Sequence, residues 1–301
     1  MTATSDPATR EQSRVALVTC DLFPDLWEDD LPLRDLLLSR GAEVDVLGWD
    51  DTEADWAAYD VAVIRSPWDY VARRDSFVAW AHSVPHLLNP ADVLEWNTDK
   101  RYLAELANAG LPVTPTDFVA PGDSWTPPSD GEWVVKPTVS AGSQDTGRYL
   151  LPAQQALAEA HVARLAAAGR TAMIQPYLSA VDEQGETALI FLPDTGGVLS
   201  FSHAIRKGAM LTGPDEGAID PGSERIDPRS PTEAERETAE RVLEAVPGGA
   251  GRLLYARVDL IPGPDGAPLL VELELTEPSL FLKEGGDAAT RRLVEAILAR
   301  I

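Results

Sequence analysis

The sequence predicts an α/β domain followed by a larger α+β region within 301 residues, a length that accommodates two domains or three small ones. Two observations carry this. Up to residue 95, short apolar runs alternate with segments of helical period, as in a small open α/β unit. Beyond that point strands come in neighbouring pairs joined by glycine- and proline-rich turns, with helices between the pairs.

In chain order, residues 1–13 are polar, lack the apolar stretch of a signal peptide and are expected to be a disordered tail. Residues 15–19 suit a buried strand. Residues 31–40 place Leu33, Leu36 and Leu37 at helical spacing and stop at Gly41. Residues 43–47, 61–65 and 86–88 read as strands and 75–81 as a helix. Arg65, Ser66, Pro67, Trp68, Asp69 and Tyr70 follow a strand's carboxyl end, where open α/β sheets bind ligands. Aromatic rings that simply cap a core account for this stretch at least as well. Thr98 is placed to cap a helix over 99–107, with Lys100 in its first turn among unpaired N–H groups.

Residues 133–137 form a strand ending near Lys136. It leads into a loop over 138–147 that contains Gly142 and Ser143; its N–H groups suit phosphate oxygens, although it is not a P-loop sequence. An alanine-rich helix over 152–168 precedes a strand through Gln175, Pro176, Tyr177 and Leu178. Residues 185–191 and 198–207 pair around a turn. Residues 208–229 have no period and are expected to be a mobile loop. Helices over 231–246 and 288–301 flank the last strand pair.

That pair holds the most informative chemistry. Residues 253–260 and 269–275 both alternate with period two, and Pro262, Gly263, Pro264, Asp265 and Gly266 between them signal a hairpin turn. Arg257 and Asp259 share one face of the first strand, and Glu272 and Glu274 share one face of the second. Pairing brings Asp259 near both glutamates. Three carboxylates on one patch suit a hard divalent cation that keeps places for water and phosphate. A solvated acidic strand face accounts for the hairpin alone equally well.

Composition narrows the function. The formal net charge of −24 argues against non-specific binding to nucleic acid or an anionic membrane. Cys20 is the only cysteine, which excludes an intrachain disulfide framework and fits a reducing compartment. No apolar run is long enough to span a bilayer, so a cytoplasmic location is expected. The first strand is not followed by the glycine fingerprint of a dinucleotide site, which makes a nicotinamide-dependent oxidoreductase a poor reading.

Six short motifs stand in order over about two hundred residues: Thr98, Asp99 and Lys100; Val134, Val135, Lys136 and Pro137; Ser140, Ala141, Gly142 and Ser143; Gln175, Pro176, Tyr177 and Leu178; Arg257, Val258 and Asp259; Glu272, Leu273, Glu274 and Leu275. Each is weak alone. Together they resemble the ATP-grasp ligase superfamily, in its glutathione-synthetase-like and ribosomal-S6-modification-like branch, over residues 96–301.

The resemblance implies an ATP-grasp fold whose two α+β subdomains, 96–175 and 176–301, clasp ATP behind an N-terminal α/β domain over 14–95. It implies that Lys100 and Lys136 bind phosphates, that Gly142 and Ser143 close over them, and that Gln175, Tyr177 and Leu178 surround adenine. Asp182 or Glu186 would meet the ribose. Asp259, Glu272 and Glu274 would hold magnesium or manganese; many relatives carry asparagine where Glu274 stands. Arg257 and Arg206 would face the transferring phosphoryl group. Such ligases phosphorylate a carboxylate, and an amine then displaces phosphate, so the implied partners are ATP and a small amino-acid-like substrate, in a monomer or homodimer. Thr276, Glu277, Pro278, Ser279, Leu280 and Phe281 resemble the branch that contains the cyclo-ligase closing O-ureido-serine to cycloserine, an antibiotic-biosynthesis reaction. Substrate contacts are expected from residues 65–70, 202–207 and 276–279, and His203 is expected to be an ordinary strand histidine. The competing reading is a non-catalytic ATP-binding regulatory module, which would not need the full set of lysines, arginine and carboxylates.

Overall fold

The structure is a computed structural model and describes residues 12–215 and 225–301. Nearly all of the expected tail, and the middle of the expected loop over 208–229, lie outside the described residues.

Strands β1 (Arg14–Thr19), β2 (Glu43–Gly48), β3 (Val61–Ile64) and β4 (Leu87–Leu88) form an all-parallel sheet in the order β2-β1-β3-β4. Parallel sheets are covered on both faces, which explains the unbroken apolar run of β1. Its Val15 and Leu17 pack on the side of α1 (Leu31–Ser39), and Ala16 and Val18 on the side of α2 (Arg74–Ser83).

Two short helices follow, α3 (Ala91–Asn97) and α4 (Tyr102–Asn108). The helix expected over 99–107 therefore begins later, and Thr98 caps nothing: it ends α3 and accepts a hydrogen bond from the Arg74 guanidinium at 2.9 Å. The chain turns here because the Asn97 amide bonds the backbone of Leu273 and Leu275, docking α3 on a distant strand. Lys100 lies in the turn between the helices, its N–H donating to the Thr138 carbonyl at 2.8 Å.

Strands β5 (Asp117–Val119), β6 (Gly131–Pro137), β7 (Gly147–Leu151) and β8 (Ala172–Pro176) make an antiparallel sheet in the order β5-β8-β6-β7. Helix α5 (Gln155–Ala167) covers it through Ala158, Val162 and Leu165. After the short α6 (Ala180–Gln184), a second antiparallel sheet contains β9 (Glu186–Pro193), β10 (Leu199–Lys207), β11 (Ile226–Arg229), β12 (Ala256–Pro262) and β13 (Pro268–Glu274), in the order β11-β10-β9-β12-β13. Strand β11 corrects the expectation of an unbroken mobile loop. It pairs with Ala204–Lys207 of β10 at the sheet edge, where Pro228 removes no hydrogen bond the sheet requires.

The five-stranded sheet positions the site. One face buries Leu189, Phe191, Val258 and Leu260 with α4 and α7 (Glu233–Glu244). The other face is divided: Ile190, Leu192 and Ile205 bury against α8 (Leu282–Leu298), while the charged residues of β12 and β13 continue past the end of that helix. Burying Val258, Leu260 and Leu273 on one side obliges Arg257, Asp259, Glu272 and Glu274 to the other.

The two antiparallel sheets are joined by a seam. Leu270 of β13 donates to the Pro112 carbonyl at 2.7 Å and accepts from the Thr114 N–H at 2.9 Å, just before the chain enters β5.

Candidate active site

A cleft of about 1160 Å³ lies between the two antiparallel sheets and reaches the carboxyl end of the parallel one. Hairpin β12–β13 forms its floor, with Asp259 paired to Glu272 and Arg257 to Glu274. The alternation placed Asp259 near both glutamates, and the hairpin sets it opposite Glu272, with a bulge just beyond Asp259.

The charged side chains interlock. Lys100 Nζ stands 3.1 Å from Glu272 Oε1 and donates to the Ser140 carbonyl at 2.8 Å. It thus ties the floor to the loop that holds Gly142 and Ser143. Gly142 and Ser143 adopt left-handed φ values of 61° and 56°, which turn the loop tightly over the cleft. Gly147 admits no side chain, because a Cβ there would meet the Tyr149 hydroxyl and the Asp215 backbone at 2.6 Å. Arg257 donates to both oxygens of Asp259 and contacts Glu274. Lys207 bridges Asp259, at 2.8 Å, and Glu186.

Burial works against the charges of Asp259, Glu272, Glu274, Glu186 and Lys136, and the balance differs from group to group. For Asp259, Arg257 and Lys207 outweigh it and hold the carboxyl far below the usual range. For Glu272, Lys100 and Lys136 do the same. Glu274 touches Arg257, yet burial and the charges of Glu272 and Asp259 push it up to about 8. Glu186 is likewise pushed by burial up to about 7, against the pull of Lys207. Burial lowers the Lys136 ammonium, and Lys100 and Lys207 act in the same direction while Glu272 opposes. A site with several crowded cations and surplus carboxylate charge is arranged for a polyanion carried with a metal ion.

The donor chemistry fits a divalent cation. Among the described residues no three acidic or histidine side chains stand together as a complete metal cage. Magnesium, however, is usually held by one or two carboxylates and completed by phosphate and water. Glu272 and Glu274 line the cleft and offer that number, whereas Asp259 lies beneath them, its oxygens taken by Arg257 and Lys207.

Of the residues the resemblance implies, Lys100, Lys136, Gly142, Ser143, Gln175, Tyr177, Leu178, Glu186, Arg257, Glu272 and Glu274 line the cleft; Asp182, Arg206 and Asp259 do not. Asp182 accepts from the Tyr177 hydroxyl at 2.6 Å and pairs with Arg148, whose guanidinium lies 3.6 Å from the Tyr177 ring centre. It braces the tyrosine rather than facing the cavity. Arg206 points to the opposite side of β10, where it donates to the Glu183 carbonyl and packs on Gly185. Its neighbour Lys207 takes the place expected of it.

The substrate-side stretches divide in the same way. Arg65 is fully buried, paired with Asp30 at 2.7 Å and donating to the Pro278 carbonyl at 2.8 Å, so it pins a loop and does not line the cleft. Trp68 and Tyr70 do reach the cleft, as do Glu277 and Ser279. Phe23 and Trp27, which the sequence reading did not single out, join Trp68 in an aromatic wall with ring centres 5.1–5.5 Å apart. His203 bonds the carbonyls of Leu280 and Phe281 and serves as the structural strand histidine expected.

Comparison with known proteins agrees with this geometry. Residues 15–89 match the family model described as D-cycloserine synthetase DcsG, N-terminal domain. The cycloserine biosynthesis protein DcsG of Streptomyces lavendulae is 39% identical over 305 residues, which cover 95% of this chain and 98% of that protein. The crystal structure of D-cycloserine synthetase DcsG superposes with a TM-score of 0.82 at 36% identity, covering 96% of this chain and 99% of that one. D-alanine–D-alanine ligase from Bacillus anthracis shares the fold at 13% identity and a TM-score of 0.64, covering 96% of both chains. So does the ATP-grasp ligase PsnB, at 16% identity and 0.59, covering 96% of this chain and 100% of that one. Near-complete coverage at this identity places the chain in the DcsG family of ATP-grasp ligases, enzymes that use ATP to form a carbon–nitrogen bond.

Proposed function

We propose that this ligase closes O-ureido-serine to cycloserine with magnesium as its metal, manganese being the substitute. The observation that carries this is the convergence of Lys100, Lys136, Lys207 and Arg257 with Glu272 and Glu274 in one cleft whose far end is acidic and aromatic. Its support from kinship is the resemblance to DcsG along nearly the whole chain.

In this reading the sheets of 96–175 and 176–301 hold the nucleotide between them. Lys100, Lys136 and Lys207 bind its phosphates, the loop at Gly142 and Ser143 covers them, and Gln175, Tyr177 and Leu178 enclose the base. Glu186 meets the ribose. Glu272 and Glu274 hold the metal, which neutralises phosphate charge when bound, and Asp259 keeps Arg257 and Lys207 in place beneath them. The substrate carboxylate attacks the γ-phosphorus and ADP leaves. Arg257 stabilises the negative charge of the transferring group, the kind of electrostatic help phosphoryl transfer needs most. The nitrogen attached to the side-chain oxygen then attacks the activated carbon, phosphate departs and the ring closes. Hydrolysis of the remaining N–carbamoyl bond by one water releases the carbamoyl group as carbamic acid, which falls apart to ammonia and carbon dioxide. Cover by the loop and the aromatic wall protects the acyl phosphate from hydrolysis.

The test is a mass-spectrometric assay of the purified protein with ATP, magnesium chloride and O-ureido-serine. Cycloserine, ADP and phosphate are expected in equal amounts, and Glu272→Gln should abolish their formation while the fold is retained. ADP release with no ring product would move the reaction to another acid–amine pair.

A further inference from the structure

The carboxylates around the β12–β13 floor of the cleft are matched to cations of the protein, and Glu277, just beyond it, is not. Glu272 has Lys100, Asp259 has Arg257 and Lys207, Glu274 has Arg257, and Glu186 has Lys207. Among the described residues Glu277 makes no ion pair; the neutral hydroxyl of Tyr70 lies beside it, while Lys100 and Arg257 act on it only through space. Tyr70 is itself buried and lines the same cavity, so it orients the carboxylate without neutralising it. The backbone of Glu277 is fixed as well: its carbonyl accepts from the Trp68 indole at 3.1 Å, and the next carbonyl, of Pro278, accepts from Arg65. Burial pushes the Glu277 carboxyl up to about 7, against the pull of Tyr70, Lys100 and Arg257.

A carboxylate carried on a fixed backbone and facing a cavity, with aromatic rings beside it, is a receptor for a cation. The cation must be small, because the nucleotide occupies the other end of the cleft. We propose that Glu277, oriented by Tyr70, is the specificity-determining residue that receives the ammonium group of the substrate, with Phe23, Trp27 and Trp68 shielding that end from water. The inference rests on the reading of the site as one that activates an amino acid. In an α-amino acid the ammonium and the carboxylate are separated by a single carbon. Anchoring the ammonium at Glu277 therefore turns the carboxylate toward Arg257 and the phosphates. The anchored amine stays protonated and cannot compete as nucleophile, which leaves the ring-closing nitrogen as the only attacking group.

The experiment compares O-ureido-serine with its desamino analogue in wild type, Glu277→Gln, Glu277→Asp and Tyr70→Phe, by initial rates and by calorimetric binding in the presence of ADP and magnesium. Wild type is expected to prefer the amino compound about ten- to hundredfold, the range a charge-assisted hydrogen bond spans. Glu277→Gln should erase that preference by raising KM for the amino compound alone, with KM for ATP unchanged; Glu277→Asp should restore part of it, and Tyr70→Phe should weaken it a few-fold. A preference that survives in Glu277→Gln, or an equal rise in KM for both compounds, overturns the anchor while leaving the ligase reading intact. Failure of wild type to bind either compound, with ADP binding intact, overturns the substrate reading and the anchor with it.

Discussion

Lys207 and Arg206 are adjacent cations with opposite surroundings, and the difference is a matter of which way a strand faces. Lys207→Ala should lower kcat/KM for ATP by about a hundredfold, as removal of a preorganised charge from a phosphoryl-transfer site does. Arg206→Ala should leave turnover within a few-fold, and steady-state kinetics of the pair checks both. Asp259 allows a second prediction. Its carboxyl titrates below its unfolded value, so its ion pairs contribute full stability above the ordinary aspartate range and lose it as pH falls through the folded value. Asp259→Asn should cost about 3 kcal/mol at pH 7, the scale of a buried pair broken on one side. The gap to wild type should narrow steadily below about pH 4 in urea titrations. The facing of Arg257, Asp259, Glu272 and Glu274 was legible because the alternation holds across these four, the β12–β13 bulge falling only after Asp259. The facing of Arg206 was not, because a bulge between Phe201 and His203 shifts the register of β10, and nothing in the apolar pattern marks an inserted residue.

Among the elements, α7 is held by a complete capping box: the Thr232 hydroxyl accepts from the Glu235 N–H, and the Glu235 carboxylate accepts from the Thr232 N–H at 2.7 Å. Glu235 also accepts from the Thr187 hydroxyl at 2.7 Å, fastening the helix to β9. Thr232→Ala should therefore cost about 1 kcal/mol, the usual loss of a cap, measurable as a lower urea midpoint. Burial opposes the Glu235 charge but these hydrogen bonds outweigh it and lower its pKa. Its contribution is present above the ordinary glutamate value and fades as pH drops through the folded one, so a Glu235→Gln chain should show a shallower acid limb in the same titration. Long periodic elements such as α5 and the β12–β13 hairpin were readable directly. The seven-residue α3 was not, since a helix of two turns offers too few repeats for a period and is stabilised by the docking of Asn97 on a strand that lies far along the chain.

At the scale of the whole molecule, the cleft is bounded by two sheets linked through the seam at Leu270, so a ligand that touches both walls should stabilise the fold as a unit. Saturating ATP with magnesium at about 100 times the dissociation constant should add about 2.7 kcal/mol. Either component alone should add less, because Glu272 and Glu274 need the cation while the lysines need the phosphates. Thermal unfolding with each combination checks this. Among the described residues no helix is long and apolar enough to cross a membrane. The N-terminal sheet also meets the last third of the chain: Asn89 bonds the backbone of Tyr255 and Leu275, Arg65 that of Pro278, and Trp68 that of Glu277. These contacts bridge separations of 166 to 213 residues. During synthesis the first sheet must wait for the ribosome to deliver its distant partners, leaving the polar Asn89 unsatisfied and Arg65 with Asp30 alone in the meantime. Co-translational maturation should accordingly be slow, and release of a chain lacking the closing hairpin should leave the early sheet a ready substrate for chaperones and proteases.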